Sequence, residues 1–169
     1  MPVYSQAKSE NQGELFNTCS TETVAERNSS ANTFNNDHYS LVKSYSFYLA
    51  AQGSNHTENF TFALDMTVPA YPPAVAAAMN IANNKDKIET LVIKEIKRAG
   101  TTAKGKLVSE ITATNGALTY VSVIRPNLDG SEKPIKDTYG SLKLTFKFEK
   151  MTFDDKVSNS LGLIKTSEV

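Results

Sequence analysis

A chain of 169 residues, 40% hydrophobic and 21% charged, with 18 Lys+Arg against 18 Asp+Glu, is sized for one domain that buries its own core without staples. Zero net charge argues against a general nucleic-acid binder, and a single cysteine (Cys19) with two histidines (His38 and His56) excludes a disulfide framework, a multi-thiolate metal site and a His-rich metal centre. No apolar run reaches the ~20 residues of a membrane helix, and the opening MPVYSQAKSENQGE has neither a basic start nor an apolar stretch, so a soluble, cytoplasmic protein without a signal peptide or membrane insertion is expected.

Residues 1–38 are rich in Ser, Asn, Thr and Glu and carry few apolar side chains, which predicts a polar N-terminal arm or loop with at most one short strand. From Tyr39 the texture changes. Tyr45, Phe47 and Leu49 alternate with Ser44, Ser46 and Tyr48, the period of a strand, with a kink expected near Leu41-Val42. After a polar loop at Gln52–Glu58, Phe60, Phe62, Leu64 and Met66 alternate in a second strand. Pro69, Pro72 and Pro73 then stop it and open a helix over the Ala-rich run near 73–82, because proline at the first helical position sacrifices no needed N–H. Val75, Met79 and Ala82 are its expected apolar face, and Asn83-Asn84 its end.

Strand character returns at Ile88 and ends at Ala99-Gly100. Lys106–Thr114 and Ala117–Ile124 flank Asn115-Gly116, which predicts a two-residue hairpin. Arg125–Gly140 reads as a turn-rich loop, Leu142–Phe153 as the last strong strand, and 158–169 as a C-terminal tail. Short amphipathic strands with tight turns and one helix predict a mainly β fold, a small antiparallel barrel over 39–157 with one short flanking α-helix.

Two features bear on assembly. Residues 1–40 carry two basic and five acidic side chains, and residues 84–110 seven basic and four acidic, so an acidic end faces a basic middle. That layout suits pairing between copies, with Lys94, Lys97, Arg98, Lys104 and Lys106 as candidate interface residues. In the last strand, Leu142, Leu144, Phe146 and Phe148 keep a spacing of two, and the next apolar residues are Met151 and Phe153. Either a bulge at Glu149-Lys150 restores the face, or the strand is apolar on both faces. The second account sets one end of the strand against the barrel core and the other against a helix or another subunit, which makes Met151 and Phe153 candidates for a subunit contact.

Three stretches, in order, resemble the Hcp family, the tube proteins of type VI secretion. Phe148-Glu149-Lys150-Met151-Thr152-Phe153 is similar to that family's final strand. Val42, Ser44, Tyr45, Ser46 and Phe47 resemble its V-x-S-W-S-W strand, with Tyr and Phe for the tryptophans. Pro73, Val75 and Ala78 resemble its S-P-x-L-x-x-A helix, and the strand ending in Lys97-Arg98 its basic strand end. The resemblance spans roughly 39–153 and departs in two places: an apolar first strand is hard to find among residues 1–38, with Pro2-Val3-Tyr4 a poor stand-in, and Gln52–Glu58 is shorter than the family's loop. The resemblance implies a flanked β-barrel that self-assembles into hexameric rings. Rings stack into a tube that a contractile sheath expels with spike and effector proteins, the subunit leaving the cytoplasm without a signal peptide. Tubes of phage tails and extracellular injection particles are related.

No nucleotide-binding, nucleophile-elbow or metalloprotease motif occurs. Asp154-Asp155 reads as a solvated turn, His38 and His56 as surface histidines and Cys19 as an inert thiol. No catalytic, cofactor-binding or metal-binding residue is expected, and the protein is not expected to be an enzyme. The rival to a tube protein is a monomeric β-barrel binding module, or a secretion-linked accessory protein, holding a small ligand or partner protein.

Overall fold

The computed structural model describes residues 3–16, 39–51, 60–98, 105–125, 140–156 and 160–165. The strands are β1 (Val3–Ser9), β2 (Gly13–Glu14), β3 (Ser40–Leu41), β4 (Ser44–Ala51), β5 (Phe60–Pro69), β6 (Lys87–Arg98), β7 (Gly105–Ile124), β8 (Ser141–Asp155) and β9 (Ser160–Lys165), with the helix α1 (Pro72–Asn84) between β5 and β6. They form one antiparallel sheet in the order β2-β1-β6-β7-β8-β5-β4, with β3 beside β1 and β9 beside β8. β3 ends at Leu41 and β4 begins at Ser44, so the chain passes from one side of the sheet order to the other through Val42 and Lys43. Val42 N–H donates to Val3 O at one end of the order, and Lys43 N–H donates to Thr67 O on β5 near the other. One continuous segment therefore ties β1 to β5 around a core of Phe62, Leu64, Met66, Ile88, Leu91, Ile93, Leu142, Leu144 and Phe146.

Asn115-Gly116 makes no hairpin. β7 runs through it as one strand of 20 residues. A two-residue hairpin of the favoured type needs positive φ at both central residues; Asn115 has φ 60, and Gly116 lies outside that region. The pair instead lies on a crease that crosses the sheet. Core-facing positions change parity there in three neighbouring strands: from Ile88 to Leu91 in β6, from Ala113 to half-buried Gly116 in β7, and from Phe148 to Met151 in β8. Register stays one-to-one across it, with Ile88↔Gly116 and Thr90↔Thr114 on one side and Gly116↔Phe148 and Thr114↔Lys150 on the other. Asn115 Nδ2 donates to Glu149 Oε2 across the line. β1 shifts register at the same level, between Lys8 and Ser9.

The spacing jump in β8 thus has its explanation. The core face is restored, but no residue is inserted into β8 relative to β7; both strands turn together. Met151 is 3% exposed within this chain's own core, and Phe153 packs against it. A subunit-contact role for Met151 is therefore corrected to a core role.

Three further differences follow from packing. The helix buries Ala74, Ala78 and Ile81, whereas Met79 is 60% exposed. Small side chains let the helix backbone approach the sheet, and in an Ala-rich run periodicity does not distinguish that face from the Val75–Met79–Ala82 face. The N-terminal segment holds two strands rather than at most one. Tyr4, Ser5, Ala7 and Ser9 are buried along β1 against β6, and Leu15 and Phe16 enter the core. The Gln6 side chain accepts from both Ala7 N–H and Phe16 N–H, at 2.9 and 3.0 Å, which folds this polar-looking stretch back on itself. Within 158–169, Ser160–Lys165 pairs with Lys150–Asp155.

Candidate assembly surface

β7 and β8 are longer than their neighbours, and this creates the surface. β6 accompanies β7 only as far as the pair Lys87↔Ala117. Beyond it, Leu118–Ile124 pairs with β8 alone among the described residues, while β8 pairs on with β5 and β5 with β4. The result is a four-stranded sheet, β4-β5-β8-β7, whose two outer strands each pair on one side among the described residues.

Both edges leave core-side apolar groups uncovered. Phe47 and Leu49 pair with Leu64 and Phe62, which are fully buried, yet remain 37% and 40% exposed. On the far edge Val123 pairs with buried Leu142 and is 38% exposed. Tyr48, Tyr120 and Ile124 add exposed apolar area beside these edges. An edge strand with uncovered apolar side chains is a template for another strand. A second copy docked there would continue both the hydrogen-bond ladder and the apolar layer.

The opposite face of the four-stranded sheet, away from the core, is polar. One cross-strand row runs Ser44, Thr67, Lys143, Ser122, and the next Ser46, Asp65, Thr145, Tyr120. A third holds Tyr48, Ala63 and Lys147. Thr145 Oγ1 donates to Asp65 Oδ1 at 2.6 Å. Lys143 and Lys147 are exposed.

The basic residues singled out from sequence lie elsewhere, at the β6–β7 end. Lys94 is half-buried, its Nζ 5.3 Å from the centre of the Tyr39 ring, and Lys97 is exposed, opposite Lys106. Arg98 pairs with Gly105 through the backbone; the side chains of Arg98 and Lys106, and all of Lys104, lie outside the described residues. Of the motif positions, Val42, Ala78 and Phe148 are buried, Tyr45 and Val75 are half-buried against the core, and Ser44, Ser46, Phe47, Pro73 and Lys150 are exposed. Among the described residues, Phe47 is thus the motif position that combines an edge strand with apolar exposure. Sequence reading did not pick out Tyr120, Val123 and Ile124, since only the early end of β6 uncovers them.

Burial, with Glu95 nearby as a second cause, raises the Tyr45 phenol above its ordinary pKa of 10.0. Asp154 pairs with Lys156, and no group of three or more His, Cys, Asp or Glu suited to a metal occurs among the described residues. Cys19, His38 and His56 lie outside them. No helix among the described residues is long and apolar enough to cross a membrane.

This arrangement, a mostly antiparallel barrel-like sheet with one flanking helix, is the Hcp fold. The chain is similar to a crystal structure of an Hcp protein, with a TM-score of 0.73 at 16% identity, covering 99% of each chain. It is also similar to the Hcp1 protein from the E. coli EAEC 042 pathovar, with a TM-score of 0.67 at 11% identity over 98% of this chain and 99% of that one. The secreted protein Hcp3 from Pseudomonas aeruginosa matches with a TM-score of 0.66 at 12% identity, over 97% and 99%. No protein-family model matches the sequence, and no curated protein matches it.

Proposed function

We propose that this chain is the structural subunit of an Hcp-like tube in a contractile secretion or injection machine of the type VI kind, working by self-assembly rather than catalysis. The observation that carries the reading is the four-stranded sheet whose two apolar edges, β4 and the far half of β7, have no outer pairing among the described residues. Different surfaces meet in such a contact, so it is heterologous and closes into a ring when the rotation permits. Hexameric rings stack into a tube, which a contractile sheath drives outward with spike and effector proteins. The subunit is made in the cytoplasm and leaves through that machine. The charge layout supports the same reading: the basic β6–β7 end and the acidic first quarter of the chain steer copies toward one another. Light scattering behind size exclusion, followed by negative-stain imaging, tests it. Rings or tubes are expected; a strict monomer at high concentration, with and without a sheath protein, supports a binding module instead.

A further inference from the structure

We infer that the inner wall of the ring selects acidic polypeptide cargo; this rests on the ring reading above and names what the ring would carry. If β4 of one copy joins β7 of the next, the four-stranded sheets form a closed band. The core, α1 and the rest of the barrel all lie on one face of that sheet. This bulk needs the larger circumference and sits outside, which leaves the polar face lining the lumen.

Among the described residues, the charges on that face are unbalanced. Lys143 and Lys147 are exposed on β8, about 13 Å apart at 3.3 Å per residue. Set against them are Asp65, which accepts from Thr145 Oγ1 at 2.6 Å, and, at the crease, exposed Glu149, which accepts from Asn115 Nδ2 and is followed by exposed Lys150. Each copy therefore adds a surplus positive charge to the wall, and ring symmetry repeats it around the lumen. Low-dielectric walls of one sign concentrate the opposite charge inside a channel. Exposed Tyr48 and Tyr120 border the lysines, giving apolar contact area without further charge. A polypeptide rich in Asp and Glu fits this lining, and a basic one is repelled.

The test uses assembled rings with fluorescent poly-glutamate and poly-lysine of about 20 residues, read by anisotropy, with scattering confirming ring integrity in each sample. Poly-glutamate should bind at least about tenfold more tightly than poly-lysine. The preference should collapse from about 0.1 M to about 1 M salt, as the screening length falls from about 10 to about 3 Å. The double variant Lys143→Gln/Lys147→Gln should still form rings and lose the preference, while Lys8→Gln/Lys156→Gln, exposed lysines outside the four-stranded sheet, should keep it. Intact rings that favour poly-lysine, or that keep poly-glutamate in the Lys143/Lys147 variant, overturn the inference and leave the ring reading standing. Failure of the parent chain to form rings overturns the ring reading itself, and the cargo inference with it.

Discussion

Replacing Gly116 with alanine tests the crease that sets the four-stranded sheet in place. A Cβ at Gly116 would stand 2.3 Å from Lys147 O and 2.3 Å from Phe148 Cδ1, with Cε1 at 2.7 Å. Neither neighbour yields readily. Lys147 O belongs to β8, which is paired on both sides at this level, to Ala63 and Ala117. The Phe148 ring stacks between Phe62 and Phe146, at 6.4 and 5.7 Å between centroids. Forcing an extra methyl into such a site costs about 1–3 kcal/mol, and two resisting neighbours place Gly116→Ala near the upper end. At about 2–4 °C per kcal/mol for a domain of this size, Tm falls by roughly 6–12 °C. Gly162→Ala is the control: its new Cβ would meet Phe153 Cβ at 3.7 Å, ordinary contact, and relieving a strand glycine is favourable by about 0.5–1 kcal/mol. Melts are run in dilute solution, because assembly adds concentration-dependent stability. A Gly116→Ala protein melting within about 1 °C of the parent, or a Gly162→Ala protein that loses as much, refutes the steric argument.

Three other perturbations probe separate parts of the account. Phe47→Lys/Leu49→Lys places charge on the β4 edge, where both side chains are already more than a third exposed; rings should vanish while the circular dichroism spectrum is retained and stability changes by less than about 1 kcal/mol. Met151→Ala empties a site that is 3% exposed and should lower monomer stability by about 2–5 kcal/mol in urea titrations, whereas Lys150→Ala, one residue away and exposed, should stay within about 0.5 kcal/mol. The Tyr45 phenol has a raised pKa in the folded chain, so above pH 10 the unfolded state loses its proton first. Stability therefore declines as pH rises from 10 through the folded pKa, and it is unaffected by this group below that range. Tyr45→Phe should flatten the decline in alkaline melts, and an unchanged slope would remove Tyr45 as its cause.

What the sequence made legible was set by local pattern. The alternation at 44–49, 60–66 and 142–148 and the prolines before the helix gave β4, β5, β8 and α1 near their observed places. The hidden features depended on neighbours. Asn115-Gly116 carries a hairpin signal, yet β8 pairs with both halves of β7, so turning would break one ladder to make another. Val3–Ser9 looks polar because Ser5 and Ser9 face inward, and it becomes a core strand only once β6 lies beside it. The assembly surface was half visible. Phe47 and Leu49 were recognisable as a strand's apolar face, but their position at an edge follows from sheet order. Val123 and Ile124 are uncovered because β6 pairs with β7 only up to Ala117. Met151 was misread as a contact because a parity change in one strand does not reveal that its neighbours change with it.

The central claim, that this fold works by joining β4 of one copy to β7 of the next, is tested most directly by cross-linking the edges. The variant Phe47→Cys/Val123→Cys, in a Cys19→Ser background, should link copies under oxidation and trap closed rings, seen as a ladder of oligomers ending at one discrete size and as annuli in negative stain. A protein that stays monomeric under the same conditions, at concentrations where the parent is examined by light scattering, would contradict it.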